Sequence, residues 1–92
     1  MYQIVFDKRV IKFIQTLPPK HQRQVKNYIL AFQELPKPHD SQTLKEYEPY
    51  RRGDCGEYRV VYRLSEPKKQ VYILLVGKRN GGDVYQQLKK LL

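Results

Sequence analysis

Residues Tyr2 to Phe6 set large apolar side chains at Tyr2, Ile4 and Phe6 and alternate them with Gln3 and Val5, the period of a short strand. The period then changes. Val10, Phe13, Ile14 and Leu17 follow at i, i+3, i+4, i+7, which predicts a basic amphipathic helix over Lys8 to Leu17 with Asp7 at its N-cap. Pro18-Pro19 stops that helix, and Pro19 suits the first turn of a second one. The second is expected to run to about Leu35, with Val25, Tyr28, Ile29, Phe32 and Leu35 on one face. Two helices with one apolar stripe each make a helical hairpin, and one face of a sheet buries both stripes most simply.

Pro36-Lys37-Pro38 ends the second helix and opens a polar loop through Glu48-Pro49. Strand character resumes at Tyr50, although Gly53 and Gly56 give the stretch to Gly56 the look of a tight turn or bulge. Glu57 to Leu64 and Val71 to Val76 are rich in β-branched and aromatic residues, and the cluster Ser65 to Lys69 between them predicts a β-hairpin. Along the first run Tyr58, Val60, Tyr62 and Leu64 share one face, while Arg59, Val61 and Arg63 share the other. That alternation describes a sheet with one packed face and one wet, cationic face. Val71 to Val76 is apolar on both faces and reads as a central strand. After Gly81-Gly82, Asp83 can cap a last short helix carrying Val84, Leu88, Leu91 and Leu92. The expectation is a single α+β domain over residues 1–92.

Ninety-two residues support one modest core. The formal net charge is +9, with eight basic against five acidic residues up to Tyr50 and ten against four beyond it. An anionic partner follows from that balance, but charge alone does not say which. The one cysteine, Cys55, excludes an internal disulfide and a cysteine-cluster metal site. No apolar run approaches the roughly 20 residues of a membrane span, and the N-terminus lacks a signal-peptide pattern, so a cytoplasmic protein with no membrane partner is expected. No phosphate-binding loop, nucleophile elbow, zinc spacing or dinucleotide fingerprint occurs, and no cofactor or metal is expected. His21 and His39 lie outside the hairpin and read as exposed positions, and Cys55, in a Gly-flanked turn without a nearby histidine, reads as incidental.

Arginine, lysine and tyrosine remain. Arg59, Arg63 and Arg79 fall in or at the ends of the hairpin strands, and Arg51 and Arg52 precede them. Arginine keeps its charge, so each needs solvent, a carboxylate or a phosphate beside it. One reading is a solvated face with a few ion pairs; the other is a floor for a polyanion. The second suits phosphodiester chemistry on RNA, in which a 2′-hydroxyl attacks the adjacent phosphorus once a base takes its proton and cations hold the charge that develops. A planar guanidinium matches two phosphate oxygens. A tyrosine serves as the base only where positive charge pulls its pKa down from about 10, and otherwise can stack on a nucleobase. Tyr85 fits either role, or that of an ordinary helix residue.

The run Gly56-Glu57-Tyr58-Arg59-Val60-Val61-Tyr62-Arg63, then Val76-Gly77-Lys78-Arg79, then Asp83-Val84-Tyr85, resembles the RelE/ParE superfamily of bacterial toxins, most closely its RelE branch. The resemblance is most specific from Tyr50 to Tyr85 and looser elsewhere. It implies a toxin of a type II toxin–antitoxin system: a ribosome-dependent endoribonuclease that cuts mRNA in the A site and is silenced by a RelB-like antitoxin with an acidic or amphipathic segment. It also implies a mainly antiparallel sheet of about four strands with the two helices on one face. Arg59 matches the strand arginine that stabilises transition-state charge, Arg79 the arginine that helps the leaving oxygen, and Tyr85 the tyrosine that stacks on or deprotonates the substrate. Arg52 falls where the family carries one of a pair of basic residues near the attacking hydroxyl. Tyr50 and Asp54 occupy the partner positions, and Asp54 is acidic where a basic residue is common. Asp54 or Glu57 is therefore an alternative general base, and Arg51 an alternative cation. Lys45 matches a basic loop position that touches ribosomal RNA, and Arg51, Arg63 and Lys78 are further candidates for RNA contact. The ParE branch implies a different activity on the same fold, inhibition of DNA gyrase without RNA cleavage.

Overall fold

A computed structural model describes all 92 residues. The alternating N-terminal segment forms β1 (Gln3–Phe6), and Asp7 caps α1 (Lys8–Gln15), its Oδ1 accepting from the Arg9 amide at 3.0 Å. Proline at the first helical position starts α2 (Pro19–Leu30). This helix does not reach Leu35. It tightens into a 3₁₀ turn, Ala31–Gln33, which swings Phe32 into the core while Leu35 stays exposed. Pro36 makes an α conformation at Leu35 unfavourable, and the tighter turn is the local answer.

The predicted loop contains an unexpected two-residue strand, β2 (Gln42–Thr43), and a buried Leu44. Three longer strands follow: β3 (Arg51–Cys55), β4 (Tyr58–Ser65) and β5 (Gln70–Lys78). The stretch that looked like a turn is thus strand through Cys55, and the reversal is confined to Gly56-Glu57, with Gly56 at φ 58°. The sheet has five strands in the order β1-β5-β4-β3-β2, one more than expected through the short edge strand. All neighbours run antiparallel except β1, which pairs parallel to β5. The run expected to be central, Val71 to Val76, does lie inside the sheet, between β1 and β4.

Both faces of the sheet are covered. On one, Val10, Ile14, Val25, Ile29 and Phe32 of the helical hairpin pack on Tyr58, Val60, Tyr62, Val71, Ile73 and Val76. On the other, Val84 and Leu88 of α3 (Asp83–Leu91) join Leu44, Val61, Leu74 and Leu75 in a second cluster. The second face was expected to be wet; only its margins are, because a nine-residue helix needs this apolar strip to persist at all. A register shift widens the strip. Val61 pairs with Leu75 but Tyr62 with Ile73, so Leu74 is an extra residue that leaves two adjacent leucines in the same cluster. Leu91 and Leu92, also expected to dock, are exposed. No helix is long and apolar enough to cross a membrane.

Tyr62 ties the two layers together. Its ring stacks on Phe32 with centroids 4.3 Å apart, and its hydroxyl donates to the Pro36 carbonyl at 2.9 Å. Tyr62→Phe keeps the stack but leaves that carbonyl without its donor, so it should destabilise the fold by about 1–2 kcal/mol. Urea denaturation measures this, and an unchanged midpoint would mean that the hydroxyl contributes nothing net.

Candidate active site

Antiparallel pairing of β3 and β4 sets Asp54 opposite Arg59, and strand alternation adds Arg52 on the same side. Arg59 Nε donates to Asp54 Oδ1 at 2.7 Å and Arg59 Nη2 to Oδ2 at 3.2 Å, a two-pronged pairing. Arg52 Nη1 lies 3.9 Å from the same carboxylate, and its Nη2 donates to Gln42 Oε1 at 3.1 Å. The bonds from Arg59 hold the Asp54 carboxyl below its ordinary pKa, and the charges of Arg59, Arg52 and Arg79 act the same way against partial burial. Arg59 is shifted upward for the reciprocal reason. One carboxylate therefore organises two guanidinium groups, Arg59 by direct bonds and Arg52 at 3.9 Å, while Arg79 acts on it only through its charge. With both oxygens engaged, Asp54 fits the part of a clamp better than that of a proton acceptor.

The remaining piece comes from the end of the chain. Arg79 is anchored by its amide, which donates to the Glu57 carbonyl at 2.8 Å. Gly81 and Gly82 then adopt φ of 89° and 72°, left-handed values that glycine takes without strain, and turn the chain back over the sheet. Gly77 lies beneath α3, where a side chain would press on Val84. Gly82 is the N-cap, so Asp83 does not cap α3 as expected; it is the first helical residue, with its charge at the positive end of the helix dipole. Tyr85 follows in the first turn. Arg59 Nη1 donates to its hydroxyl at 3.1 Å, with the guanidinium carbon 5.7 Å from the ring centroid. Beside them is an open cavity of about 300 Å³, lined by Tyr85, Arg52, Gln42, Lys45, Glu46 and Tyr47 among others.

Of the residues singled out from the sequence, the fold gathers Arg52, Asp54, Arg59, Arg79, Tyr85 and Lys45. It does not gather the rest. Arg51 alternates to the other side of β3 and folds onto the preceding loop, Nη2 donating to Ser41 Oγ at 2.8 Å. Lys78 pairs with Tyr58 at the end of β5, and by alternation shares the face of the helical hairpin. Glu57 sits in the turn with its carboxylate 4.0 Å from His21 Nδ1. Arg63 shares the face of Arg59 but lies four residues further along β4. His21 is not a plain surface residue: its Nδ1 and the Tyr58 hydroxyl are 2.7 Å apart. Cys55 is buried, which pushes its thiol pKa up, and its Sγ donates to the Gln24 carbonyl at 3.6 Å. No three His, Cys, Asp or Glu side chains converge to hold a metal. Sequence reasoning did not find Gln42 and Tyr47 on the cavity wall; their place depends on an edge strand too short to show a period.

The family model described as the ParE toxin of the type II toxin–antitoxin system parDE matches residues 6–81. Among solved structures, the chain is similar to archaeal RelE in the RelE–RelB complex from Pyrococcus horikoshii OT3, at 27% identity, TM-score 0.76, covering 86% of this chain and 96% of that one. It is similar to the isolated E. coli RelE toxin at 25% identity and TM-score 0.74, with both chains covered in full. A mutant of E. coli RelE in the free state matches at 26% identity and TM-score 0.77, covering 99% of this chain and 98% of that one. No curated protein matches.

Proposed function

The chain belongs to the ParE toxin family of type II toxin–antitoxin systems, on the RelE-like side of the RelE/ParE superfamily, and we propose that this toxin is a ribosome-dependent endoribonuclease that cuts mRNA in the A site. One observation carries the proposal. Arg59, fixed by Asp54, reaches the Tyr85 hydroxyl at 3.1 Å beside a cavity that Arg52 and Lys45 also line. A cation held against a hydroxyl, with two more guanidinium groups close by, is a set that can cradle a phosphodiester and shuttle a proton.

In the proposed reaction the 2′-hydroxyl loses its proton and its oxygen bonds to the adjacent phosphorus. The phosphorane charge is held by Arg59 and Arg79, and Arg52 orients the attacking side. The 5′ oxygen leaves with a proton, giving a 2′,3′-cyclic phosphate and a 5′-hydroxyl end. Tyr85 is the group we assign to proton transfer. Its hydroxyl oxygen accepts from Arg59. As that oxygen takes the 2′ proton its own hydrogen passes to water, and water protonates the leaving 5′ oxygen, so the residue ends neutral.

An antitoxin partner is proposed from the likeness to RelE in a RelE–RelB complex and from one surface. Phe6, Ile11, Ile14 and Leu30 line an open apolar cleft of about 360 Å³ along the two helices, edged by Lys26. An amphipathic segment with acidic flanks fits it. Because α3 follows two glycines and docks through Val84 and Leu88 alone among its buried residues, the same antitoxin could also displace it and carry Tyr85 out of the site.

The description of the matching family as ParE favours a second reading, a gyrase inhibitor that cuts no RNA. In vitro translation with mapping of mRNA ends separates the two. New 5′ ends at A-site codons, formed only with ribosomes present, are expected. Intact mRNA together with blocked supercoiling by DNA gyrase would replace this proposal with the second reading.

A further inference from the structure

At the other end of the α3-bearing face, one row of side chains takes no part in the site above. Arg63 pairs with Tyr72 across β4 and β5, and Tyr50 flanks it just before β3. The Arg63 guanidinium carbon lies 5.8 Å from the Tyr50 ring centroid and 5.7 Å from that of Tyr72. Val5 of β1 pairs with Tyr72 and extends the row. Tyr72 is fixed from outside the sheet: its hydroxyl donates to Asp7 Oδ2 at 2.6 Å, and Asp7 is itself held by its cap on α1.

The charges here are arranged differently from those at Arg59. Arg63 is exposed and has no carboxylate within ion-pair distance. The two nearby acids are occupied, Asp7 by Tyr72 and Arg9, Glu66 by the Tyr2 hydroxyl at 2.8 Å. Lys68 lines the same cleft of about 490 Å³ as Arg63, Glu66 and Tyr72, and Lys8, Arg9 and Lys12 line the next one along with Tyr72 and Asp7. An unpaired, exposed guanidinium flanked by two half-buried tyrosine rings offers a planar fork for a phosphate, with the rings as stacking surfaces for bases, the pairing that binds single strands with little regard to sequence. An acidic peptide would use the charge alone and leave the two rings without a role. Arg63 lies four residues beyond Arg59 along β4, about 13 Å away, and buried Val61 lies between them.

We propose that the Tyr50–Arg63–Tyr72 row is a second subsite for single-stranded RNA, holding nucleotides outside the one that is cut. The proposal rests on the endoribonuclease reading. It is tested by binding rather than by cleavage, with the full chain, fluorescein-labelled octa-adenylate as the probe, and anisotropy read over a range of salt concentrations. Arg63→Ala should weaken binding about tenfold and lower the salt slope by about one. Arg63→Lys should keep the slope and still lose affinity, because the plane is gone. Tyr72→Leu should cost about tenfold with the slope unchanged. Lys20→Ala, which removes the same charge from an exposed position on α2, is the control and should change little. Thermal unfolding of each variant checks that the sheet is intact. Equal losses from Lys20→Ala and Arg63→Ala would overturn the subsite, as would failure of the wild type to bind the octamer. Mapping of mRNA ends decides separately whether the endoribonuclease reading survives. If Arg63→Ala leaves octamer binding untouched and loosens an antitoxin complex instead, the row is a protein interface and the proposal falls.

Discussion

Arg59→Ala should slow single-turnover cleavage on programmed ribosomes by roughly 10²–10³-fold, the usual loss of one preorganised donor to transition-state charge. The fold should survive. Arg59 sits on the α3 side of β4, where it meets Asp54 and Tyr85 rather than the packed cluster under the helical hairpin. Asp54, left without its two-pronged partner, still has Arg52 at 3.9 Å and contact with water. Asp54→Asn is the companion measurement. It keeps the shape and removes the charge, so cleavage should stay within about tenfold of wild type if the carboxylate only positions Arg59. A loss as large as that of Arg59→Ala would make Asp54 the general base. The pH dependence has a definite sign. The Asp54 pKa is lowered in the folded chain, chiefly by its bonds from Arg59, so the unfolded chain binds more protons near the ordinary value of about 3.9. The stability this pair contributes is present above that value and is lost as pH falls through the lower folded one. Between about pH 5 and 8 the rate should therefore carry no titration from Asp54. A cleavage rate for Arg59→Ala close to that of wild type would remove this residue from the chemistry.

Tyr85→Phe should cost nearly as much as Tyr85→Ala, of order 10²-fold in the cleavage step. The reason is the contact that Tyr85 makes. Its hydroxyl accepts from Arg59 at 3.1 Å, and the ring lies 5.7 Å from the guanidinium carbon. Phenylalanine keeps the ring and the cation–π contact and loses only the oxygen. Since α3 docks through Val84 and Leu88, neither change should detach the helix, and the far-ultraviolet spectrum and urea midpoint should stay close to wild type. The contrary pattern is equally clear. A nearly silent Tyr85→Phe beside a Tyr85→Ala that costs roughly 1–3 kcal/mol of binding would reduce Tyr85 to a stacking platform. The proton would then have to be taken by another group.

The sequence by itself determined what short-range geometry can write into a period. The alternation in Glu57 to Leu64 set Tyr58, Val60 and Tyr62 against Arg59, Val61 and Arg63, and the fold keeps that division. The 3.6-residue stripes of the helical hairpin, the proline stop between them and the Asp7 cap were legible for the same reason: each depends on neighbours within a turn or two. The resemblance supplied the strand count that no period could, and the short β2 edge still escaped it. Arg51 and Arg52 show where the reading stopped. As neighbours on a strand they must face opposite ways, but two glycines gave the stretch the look of a turn, so both stayed candidates until β3 was seen as a strand. Only the tertiary structure decided that α3 and Leu44 cover the middle of the face expected to be wet, that β1 joins β5 in parallel, and that Leu74 shifts the register. It also decided that Asp54 clamps Arg59, and that Tyr85, 26 residues further on, closes over it. Those facts rest on which strands pair, in what register, and where a short helix docks. They are settled by the burial of side chains distant in sequence, which leaves no local period to read.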